Sequence, residues 1–274
     1  MPERSRSLRL WMLPGADSAG QPFEGRSFSA NPFAGDSGEV DQVLGDTLAA
    51  FQELLKADPE QRTQVELATA WGHCVTALGR ARVLSPLIAE AGDSGVSETG
   101  ALVEKTQELS VPQLEGPDGR AVAPVFRDVA AMARWNSAAR PIPVEGSRAA
   151  LAAASEGLAL VLDPGSPGTR VFRRSALQAA ASGTDYLAPW RDDAVRAGFA
   201  AVLGDYSEVA VHRVICGDPS QTLAGPEVLV VLGVVRGLGP DVVASMLAEI
   251  SARWASDPVI AERCDGVGVK VLPA

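Results

Sequence analysis

Residues 109–168 read LSVPQLEGPDGRAVAPVFRDVAAMARWNSAARPIPVEGSRAALAAASEGLALVLDPGSPG, and this stretch decides the fold. Its turn Gly116–Gly119 combines a proline, which presets φ, with a glycine that tolerates positive φ, so it predicts a hairpin of two antiparallel strands. The return strand, Ala121–Phe126, is apolar on both faces, and we therefore expect it inside a sheet. A second buried strand is predicted at Leu158–Leu162.

Helices are predicted on either side of this second strand. Asp128 is the expected N-cap of a short helix, and Pro141 and Pro143 are expected to break the chain after it. The alanine-rich run Ser147–Glu156 predicts the next helix. Ser175–Gln178 has the pattern of a capping box, which predicts that another helix begins there.

Two helices and a strand are predicted before the opening stretch. Apolar residues recur at helical spacing from Val43 to Leu55, and Asp58 with Pro59 is expected to start a second helix as N-cap and first helical residue. The run Arg82–Ala89 is rich in strand-forming residues. Because Pro86 has no N–H for a central ladder, this run is predicted to be an edge strand or to contain a bulge.

The pattern after residue 184 predicts the order α-β-β-α-β. Glu227–Val235 is almost entirely apolar, as in a central strand. Pro240 opens the most regular amphipathic helix of the chain, and Val267–Leu272 is the expected closing strand. Segments of this kind usually place helices on one face of a mainly antiparallel sheet.

These elements predict an α+β fold of two domains, each with a mainly antiparallel or mixed sheet covered by helices. Residues 1–40 are rich in Gly, Pro and Ser without a period, and we expect a flexible leader. The first domain is predicted at 41–184 and the second at 185–274, with Asp185–Trp190 as the linker.

Composition excludes several classes of partner. The chain has 24 basic and 34 acidic residues, a net charge of −10 and a pI near 4.8, which argues against nucleic acid or an anionic membrane as the main partner. No apolar run is long enough to span a bilayer.

The cysteines Cys74, Cys216 and Cys264 are odd in number and widely spaced, so we expect reduced core thiols and a cytoplasmic protein.

Short motifs that suggest chemistry each have a simpler explanation. The string GDSG occurs at 35–38 and 92–95, but a serine protease needs an upstream His base held by a buried Asp. No His precedes the first copy, and only His73, on a predicted helix, precedes the second. His73 and Cys74 are adjacent on a helix, where neighbours do not face one another. The loop Asp163–Thr169 follows a strand but has no phosphate-loop pattern. We therefore predict no catalytic residue, no metal site and no cofactor.

Five residues are candidates for an interface with a partner. Trp135 and Trp190 lie beside predicted loops, where aromatic side chains often anchor contacts, although packing in the core or between domains is their more common role. Arg170, Arg173 and Arg174 form a small basic cluster that could bind an acidic partner, and a solvated helix start is the simpler explanation.

A family resemblance rests on short motifs that occur in order along most of residues 33–274. They are Phe33–Asp36, Glu104-Lys105, Gly116–Arg120, Pro124–Phe126, Ala133–Trp135, Arg140–Val144, Leu158–Pro164, Asp257–Val259 and Glu262–Gly266. With these motifs the chain resembles the bacterial SseB family, the enhanced serine sensitivity proteins, in their two-domain form. Residues 107–113 depart from the family pattern because they are more polar and contain a proline.

The resemblance implies a soluble bacterial protein without known catalytic residues or an agreed cofactor. The leading hypothesis is therefore a non-enzymatic cytoplasmic protein that recognises an unknown protein partner or has a regulatory role. The alternative is a sensing module that binds an amino acid or a related metabolite between the two domains.

Overall fold

The computed structural model describes residue 33, residues 35–90 and residues 108–274, with the backbone alone for residues 90, 108 and 109. By its internal contacts the chain divides into Met1–Asp36 and Ser37–Ala274, and every element below lies in the second unit. Most of the predicted leader, the second GDSG string and the motif Glu104-Lys105 lie outside the described residues.

The described residues contain eight α-helices and ten strands. The helices are α1 (Gln42–Lys56), α2 (Gln64–Arg80), α3 (Val129–Trp135), α4 (Gly146–Ser155), α5 (Arg174–Ser182), α6 (Asp193–Leu203), α7 (Pro240–Ser256) and α8 (Pro258–Arg263). The strands are β1 (Arg82–Glu90), β2 (Glu108–Ser110), β3 (Leu114–Glu115), β4 (Ala121–Val125), β5 (Arg140–Glu145), β6 (Ala159–Leu162), β7 (Arg170–Phe172), β8 (Val209–Cys216), β9 (Val228–Val234) and β10 (Val267–Pro273).

The strands form three sheets, one antiparallel and two mixed, so the predicted α+β class is confirmed. The order in the antiparallel sheet is β2-β1-β5. In the sheet β3-β4-β6-β7, the middle strands β4 and β6 are parallel and the outer pairs are antiparallel. In the sheet β10-β9-β8, the central strand β9 pairs parallel to β10 and antiparallel to β8.

None of the helices in the described residues has both the length and the apolar character needed to cross a bilayer.

The predicted hairpin at the centre of the opening stretch is confirmed. Gly119 N donates to Gly116 O at 2.9 Å, and Gly119 takes a φ of 79°, which favours glycine. The turn joins β3 to β4 in antiparallel register, and β4 lies inside its sheet between β3 and β6. The turn residues and the apolar return strand were therefore sufficient to predict this part of the fold.

The predicted start of α2 at Asp58 is wrong. The helix begins five residues later than predicted, at Gln64, after the N-cap Thr63, whose Oγ1 accepts from Glu66 N at 3.1 Å. In return, Glu66 Oε2 accepts from Thr63 N at 2.9 Å, which completes a capping box. Two donors are satisfied at Thr63, whereas Asp58 Oδ1 accepts only from Glu60 N within a turn.

The prediction that β1 lies at a sheet edge is also wrong, because β1 is the central strand between β2 and β5. Leu84 N donates to Phe126 O at 2.8 Å, so the peptide groups of even-numbered positions in β1 face away from β5. Pro86 lies on this side, between that bridge and the first residue paired with β2, Ile88. Its missing N–H therefore falls in a gap between two pairings.

Pro141 and Pro143 were expected to break the chain, and they lie instead within β5. Pro141 is opposite Pro86 and Pro143 is opposite Leu84 in the register of the two strands. At these positions the peptide groups of both strands face away from each other, so each proline loses only an N–H that would point outwards. The prolines thus allow the pairing with β1 and remove donors from the outer edge of β5.

The predicted capping box at Ser175 is not formed. Helix α5 begins at Arg174 without a side-chain cap, and Ser175 Oγ donates instead to Glu227 Oε1 at 2.6 Å. Strand β7, which precedes this helix, was not predicted because three residues are too few for a periodic pattern.

One continuous core cluster contains side chains from both predicted domains. Phe51, Trp71 and Phe172 stack in its first part, with ring centroids 4.7–5.2 Å apart. Phe199 and Trp254 meet edge to face at 5.0 Å in its second part. The core has no break at the predicted boundary between residues 184 and 185, and the division into two domains stays a prediction.

Candidate functional site

The five predicted interface residues lie in different environments. Trp190, Arg170 and Arg173 are buried, with 1%, 4% and 2% of their surface exposed. Trp135 is half-buried against Phe126, with ring centroids 5.2 Å apart, and Arg174 is exposed. The three arginines therefore do not form the solvated cluster that their spacing suggested, because two of them face the interior.

Arg170 is held mainly by neutral groups. Its Nη1 donates to Thr169 O at 2.6 Å, its Nη2 donates to Gln52 Oε1, and the guanidinium lies 5.6 Å from the centre of the Phe51 ring. Burial lowers the pKa of this guanidinium. These contacts give Arg170 a structural role at the junction of β7 with α1.

Arg173 pairs with a carboxylate on a loop of the C-terminal half. Its Nη2 lies 2.7 Å from Asp218 Oδ2, and both side chains are almost completely buried. Asp218 Oδ2 also accepts from the backbone N–H of Thr222 and Leu223, at 2.9 and 2.8 Å. This loop reaches the sheet of the first half, because Gln221 O accepts from Val171 N at 2.7 Å.

Two motifs that carry the family resemblance meet at this junction between the halves. Arg120, at the end of the hairpin turn, places Nη2 2.8 Å from Asp265 Oδ2. Asp265 N in turn donates to Glu227 Oε2 at 2.6 Å, and burial raises the pKa of Glu227. A cavity of only about 70 Å³ remains beside Arg120 and Arg174, far below the roughly 300–1,000 Å³ typical of ligand sites. The junction is therefore filled with paired groups.

The thiols and histidines do not form a reactive group. Burial raises the pKa of each cysteine to about 12, so none is a ready nucleophile near neutral pH. Cys74 is buried while its neighbour His73 is exposed. Within the described ranges, no three His, Cys, Asp or Glu side chains come together as metal ligands would.

The outer edge of β10 carries peptide groups that no described residue pairs with. Gly266 O accepts from Val228 N at 3.0 Å, so position 266 and the other even-numbered positions of this segment face β9. Peptide groups alternate sides along a strand, and the odd-numbered positions therefore face away. The open N–H and C=O groups are those of Val267, Val269 and Val271, and Pro273 at the end of the strand adds an open C=O without an N–H.

Other sheet edges in the described part of the chain have contacts or prolines that block some of their outward groups. The two prolines of β5 remove outward donors, as described above. On β7, Val171 N donates to Gln221 O, and on β8, Cys216 N donates to the side chain of Gln64 at 2.8 Å. Natural sheets use such devices to prevent edge-to-edge pairing. Strand β10 has no such contact from a described residue at Val267, Val269 or Val271, whereas the contact on β8 engages only its end residue, Cys216.

An apolar pocket of about 310 Å³ lies beside this open edge. Val267 and Val269 form its wall on β10, and Trp254 and Ile260 form its wall on α7 and α8. The remaining lining residues are Ser251, Ala255, Ala261, Cys264 and Gly266, so no charged side chain lines the pocket. An extended segment added to β10 would place one side chain over this pocket.

Only part of the β10 edge and its pocket could be predicted from the sequence. Val267–Leu272 was correctly predicted as a strand, and its alternating valines were visible. Its position at an edge was not predictable, because that depends on which strands pair with one another. The pocket also requires residues of α7 and α8 that follow a helical and not a strand period.

Two larger cavities lie elsewhere. One, of about 400 Å³, is a mainly apolar groove between α4 and the segment Val111–Gln113. The other, of about 510 Å³, lies between the start of α2 and β8, and Arg191, Arg196 and Arg213 are among its lining residues. An apolar groove accepts many apolar groups, whereas an open strand edge selects an extended backbone, so the β10 edge is the more specific feature.

Comparison with known families gives one match. Residues 55–179 match the family model described as the SseB protein N-terminal domain. The match covers less than half of the chain, includes the hairpin and the strand Ala159–Leu162, and supports the SseB family that the motifs predicted. Strand β10 lies outside the matched range. No curated protein and no solved structure matches the chain.

Proposed function

We propose that this chain, with its SseB N-terminal domain match at 55–179, is a two-domain SseB protein that acts in the cytoplasm as a non-enzymatic protein-interaction module. In this proposal the partner is a protein and neither nucleic acid nor a membrane. The observation that carries it is the open outer edge of β10 beside an apolar pocket.

Strand addition supplies the affinity in this mode of recognition. Each added backbone hydrogen bond satisfies an N–H or C=O that otherwise faces solvent, and a side-chain pocket next to the edge adds selectivity. An exposed valine-rich edge of seven residues is also a risk for aggregation, which favours a physiological partner that covers it.

A charge on the edge should abolish this interaction. In Val271→Lys, a lysine replaces a valine that is 37% exposed on β10, and lysine is a residue that natural edges use to prevent pairing. The matched control is Val211→Lys, at a 57% exposed valine on β8, the opposite edge of the same sheet.

The measurement is affinity purification from the native host with tagged wild type and both variants. We expect a defined protein that co-purifies with wild type and Val211→Lys and is lost with Val271→Lys. Circular dichroism should show the same fold for all three proteins. Equal recovery by all three, or no protein above the untagged control, would contradict the proposal.

A second candidate function, metabolite sensing between the two predicted domains, rests on a different observation. The cavity of about 510 Å³ is lined by Gln64 from the first half and by residues of the second half. Its wall has three arginines, Arg191, Arg196 and Arg213, and one carboxylate, Asp193, which lies 3.3 Å from Arg196. Because the arginines outnumber the carboxylate, the cavity favours an anionic ligand such as a carboxylate.

Thermal stability tests this second candidate. A binding metabolite should raise the melting temperature at millimolar concentration in a screen of amino acids and nucleotides. Arg213→Gln should remove the shift and Arg148→Gln, on the exposed surface of α4, should keep it. The absence of any stabilised sample in the screen would rule out this function for the ligands tested.

A further inference from the structure

The apolar pocket beside β10 determines what kind of segment the edge can accept. It is bounded by Trp254 and Ile260 on one side and by Val267 and Val269 on the other, without a charged side chain. A charged group placed there would lose its hydration without gaining a partner, which is unfavourable, whereas an apolar side chain gains by leaving water. The pocket therefore selects apolar side chains at one position of the incoming strand.

The opposite face of β10 has different chemistry. Successive side chains of a strand alternate between faces, and Lys270 is exposed on the face away from the pocket. An acidic residue in the incoming strand, next to the pocket-filling residue, would lie near this lysine. Opposite charges on neighbouring strands contribute about 0.2–1 kcal/mol, so this contact favours an acidic neighbour only modestly.

The size of the edge favours a short segment over a second folded copy. The open N–H and C=O groups of three valines and one pocket of about 310 Å³ offer a small contact area. A stable interface between two folded proteins buries about 1,200–2,000 Å² in total, which a seven-residue edge does not provide by itself. An extended peptide can use such an edge because its backbone hydrogen bonds supply much of the affinity.

From these observations, and resting on the proposed function, we infer that the partner of β10 is an extended peptide segment of another protein. A large apolar side chain of this segment fills the pocket beside Trp254, and the segment carries no charge at that position. Its backbone pairs with Val267, Val269 and Val271.

Synthetic peptides test the inference. The probe is acetyl-Ser-Val-Glu-Leu-Glu-Val-Ser-amide, and the comparison peptides carry Ala or Asp in place of the central Leu. We expect the Leu peptide to slow amide hydrogen exchange at positions 267, 269 and 271, while 268, 270 and 272 change little. The Asp peptide should bind at least roughly tenfold more weakly.

A matched pair of variants separates the pocket from the edge. Ala255 lines the pocket on α7, and Ala252 lies on the same helix outside it. Ala255→Leu should fill the pocket and weaken binding of the Leu peptide, whereas Ala252→Leu should leave binding unchanged. Equal binding of the Leu and Asp peptides, or equal effects of the two variants, would overturn the pocket assignment and leave the edge proposal intact.

Two further outcomes also overturn the inference. If no peptide binds and positions 267, 269 and 271 become protected as protein concentration rises, with dimers seen by sedimentation, the occupant is a second copy of the chain. If no peptide binds and these positions stay unprotected at every concentration, the edge does not accept an apolar strand. The purification with Val271→Lys then decides separately whether β10 contacts a partner at all.

Discussion

Arg173 and Asp218 are a buried ion pair in which each partner depends on the other. Their side chains are 2% and 3% exposed, and the charged atoms lie 2.7 Å apart. Removing only the cation leaves a carboxylate buried without a countercharge, which typically costs about 3–5 kcal/mol. Arg173→Met should therefore lower the free energy of unfolding by about that amount in urea denaturation near neutral pH.

An exposed ion pair provides the control for this prediction. Arg148 Nε lies 2.9 Å from Glu145 Oε2, but the arginine side chain is 79% exposed. Such pairs contribute about 0–1 kcal/mol, so Arg148→Met should have a small effect. Similar losses for the two variants would show that burial of the Arg173 pair does not determine its energetic role.

The titration of Glu227 should make the free energy of unfolding depend on pH, in a direction that follows from the direction of its pKa shift. Burial raises its pKa in the folded state above the ordinary value near 4.5, although its oxygens accept hydrogen bonds from Ser175 Oγ and Asp265 N. The folded state therefore holds the proton more tightly than the unfolded state. The resulting stability is fully present below the unfolded pKa and is lost as pH rises through the folded pKa.

Glu227→Gln removes this titration. We expect the free energy of unfolding of the variant, relative to wild type, to increase as pH rises above about 4.5, measured in urea at a series of pH values. Glu66→Gln should behave oppositely, because hydrogen bonds from Thr63 lower the pKa of Glu66. Its deficit relative to wild type should shrink as pH falls through that lowered pKa. A difference for Glu227→Gln that is independent of pH would refute the assignment.

At the scale of single elements, the start of α2 gives a direct comparison between the predicted and the observed cap. Thr63 satisfies a helix donor through its hydroxyl, and replacing such a cap with alanine costs about 1 kcal/mol. Thr63→Ala should therefore destabilise the protein by about that amount. Asp58→Ala, at the cap that the sequence suggested, should change stability by less than about 0.5 kcal/mol. Thermal or urea denaturation of both variants measures this, and a larger loss for Asp58→Ala would contradict the observed helix start.

Elements were predictable where their determinants are local. The hairpin Gly116–Gly119 follows from turn chemistry, and the central strand β9 follows from a continuous apolar run. The predicted start of α2 was wrong because two capping residues, Asp58 and Thr63, lie five positions apart and the local pattern alone does not rank them. The prediction that β1 lies at a sheet edge was wrong because a central strand tolerates a proline where the missing N–H falls between two pairings. Whether it does so depends on how the neighbouring strands pair.

The candidate site was less predictable because its determinants are distant in sequence. Arg173 is buried because Asp218, 45 residues away, supplies its countercharge. The outer edge of β10 is open because no described strand pairs with it, and the residues of β10 themselves do not indicate this. A single sequence therefore identifies the strand but not its exposure to a partner.

At the scale of the whole molecule, the shared core and the buried pair predict that the two halves unfold together. Trp71 reports on the first half and Trp254 on the second, and both belong to the same core cluster. In protein labelled with 5-fluorotryptophan, the fluorine resonances of these two residues should change at the same urea concentration.

Arg173→Met provides a second test of this prediction because it removes an ion pair between the two halves. If the halves form one cooperative unit, the variant should lower the unfolding midpoints reported by Trp71 and Trp254 together and by the same amount. Separate midpoints in the wild type, or a shift at only one tryptophan in the variant, would show that the predicted domains at 41–184 and 185–274 unfold independently. Coincident midpoints would mean that a partner strand bound at β10 stabilises the whole of Ser37–Ala274, since binding to the folded state raises the stability of the entire cooperative unit.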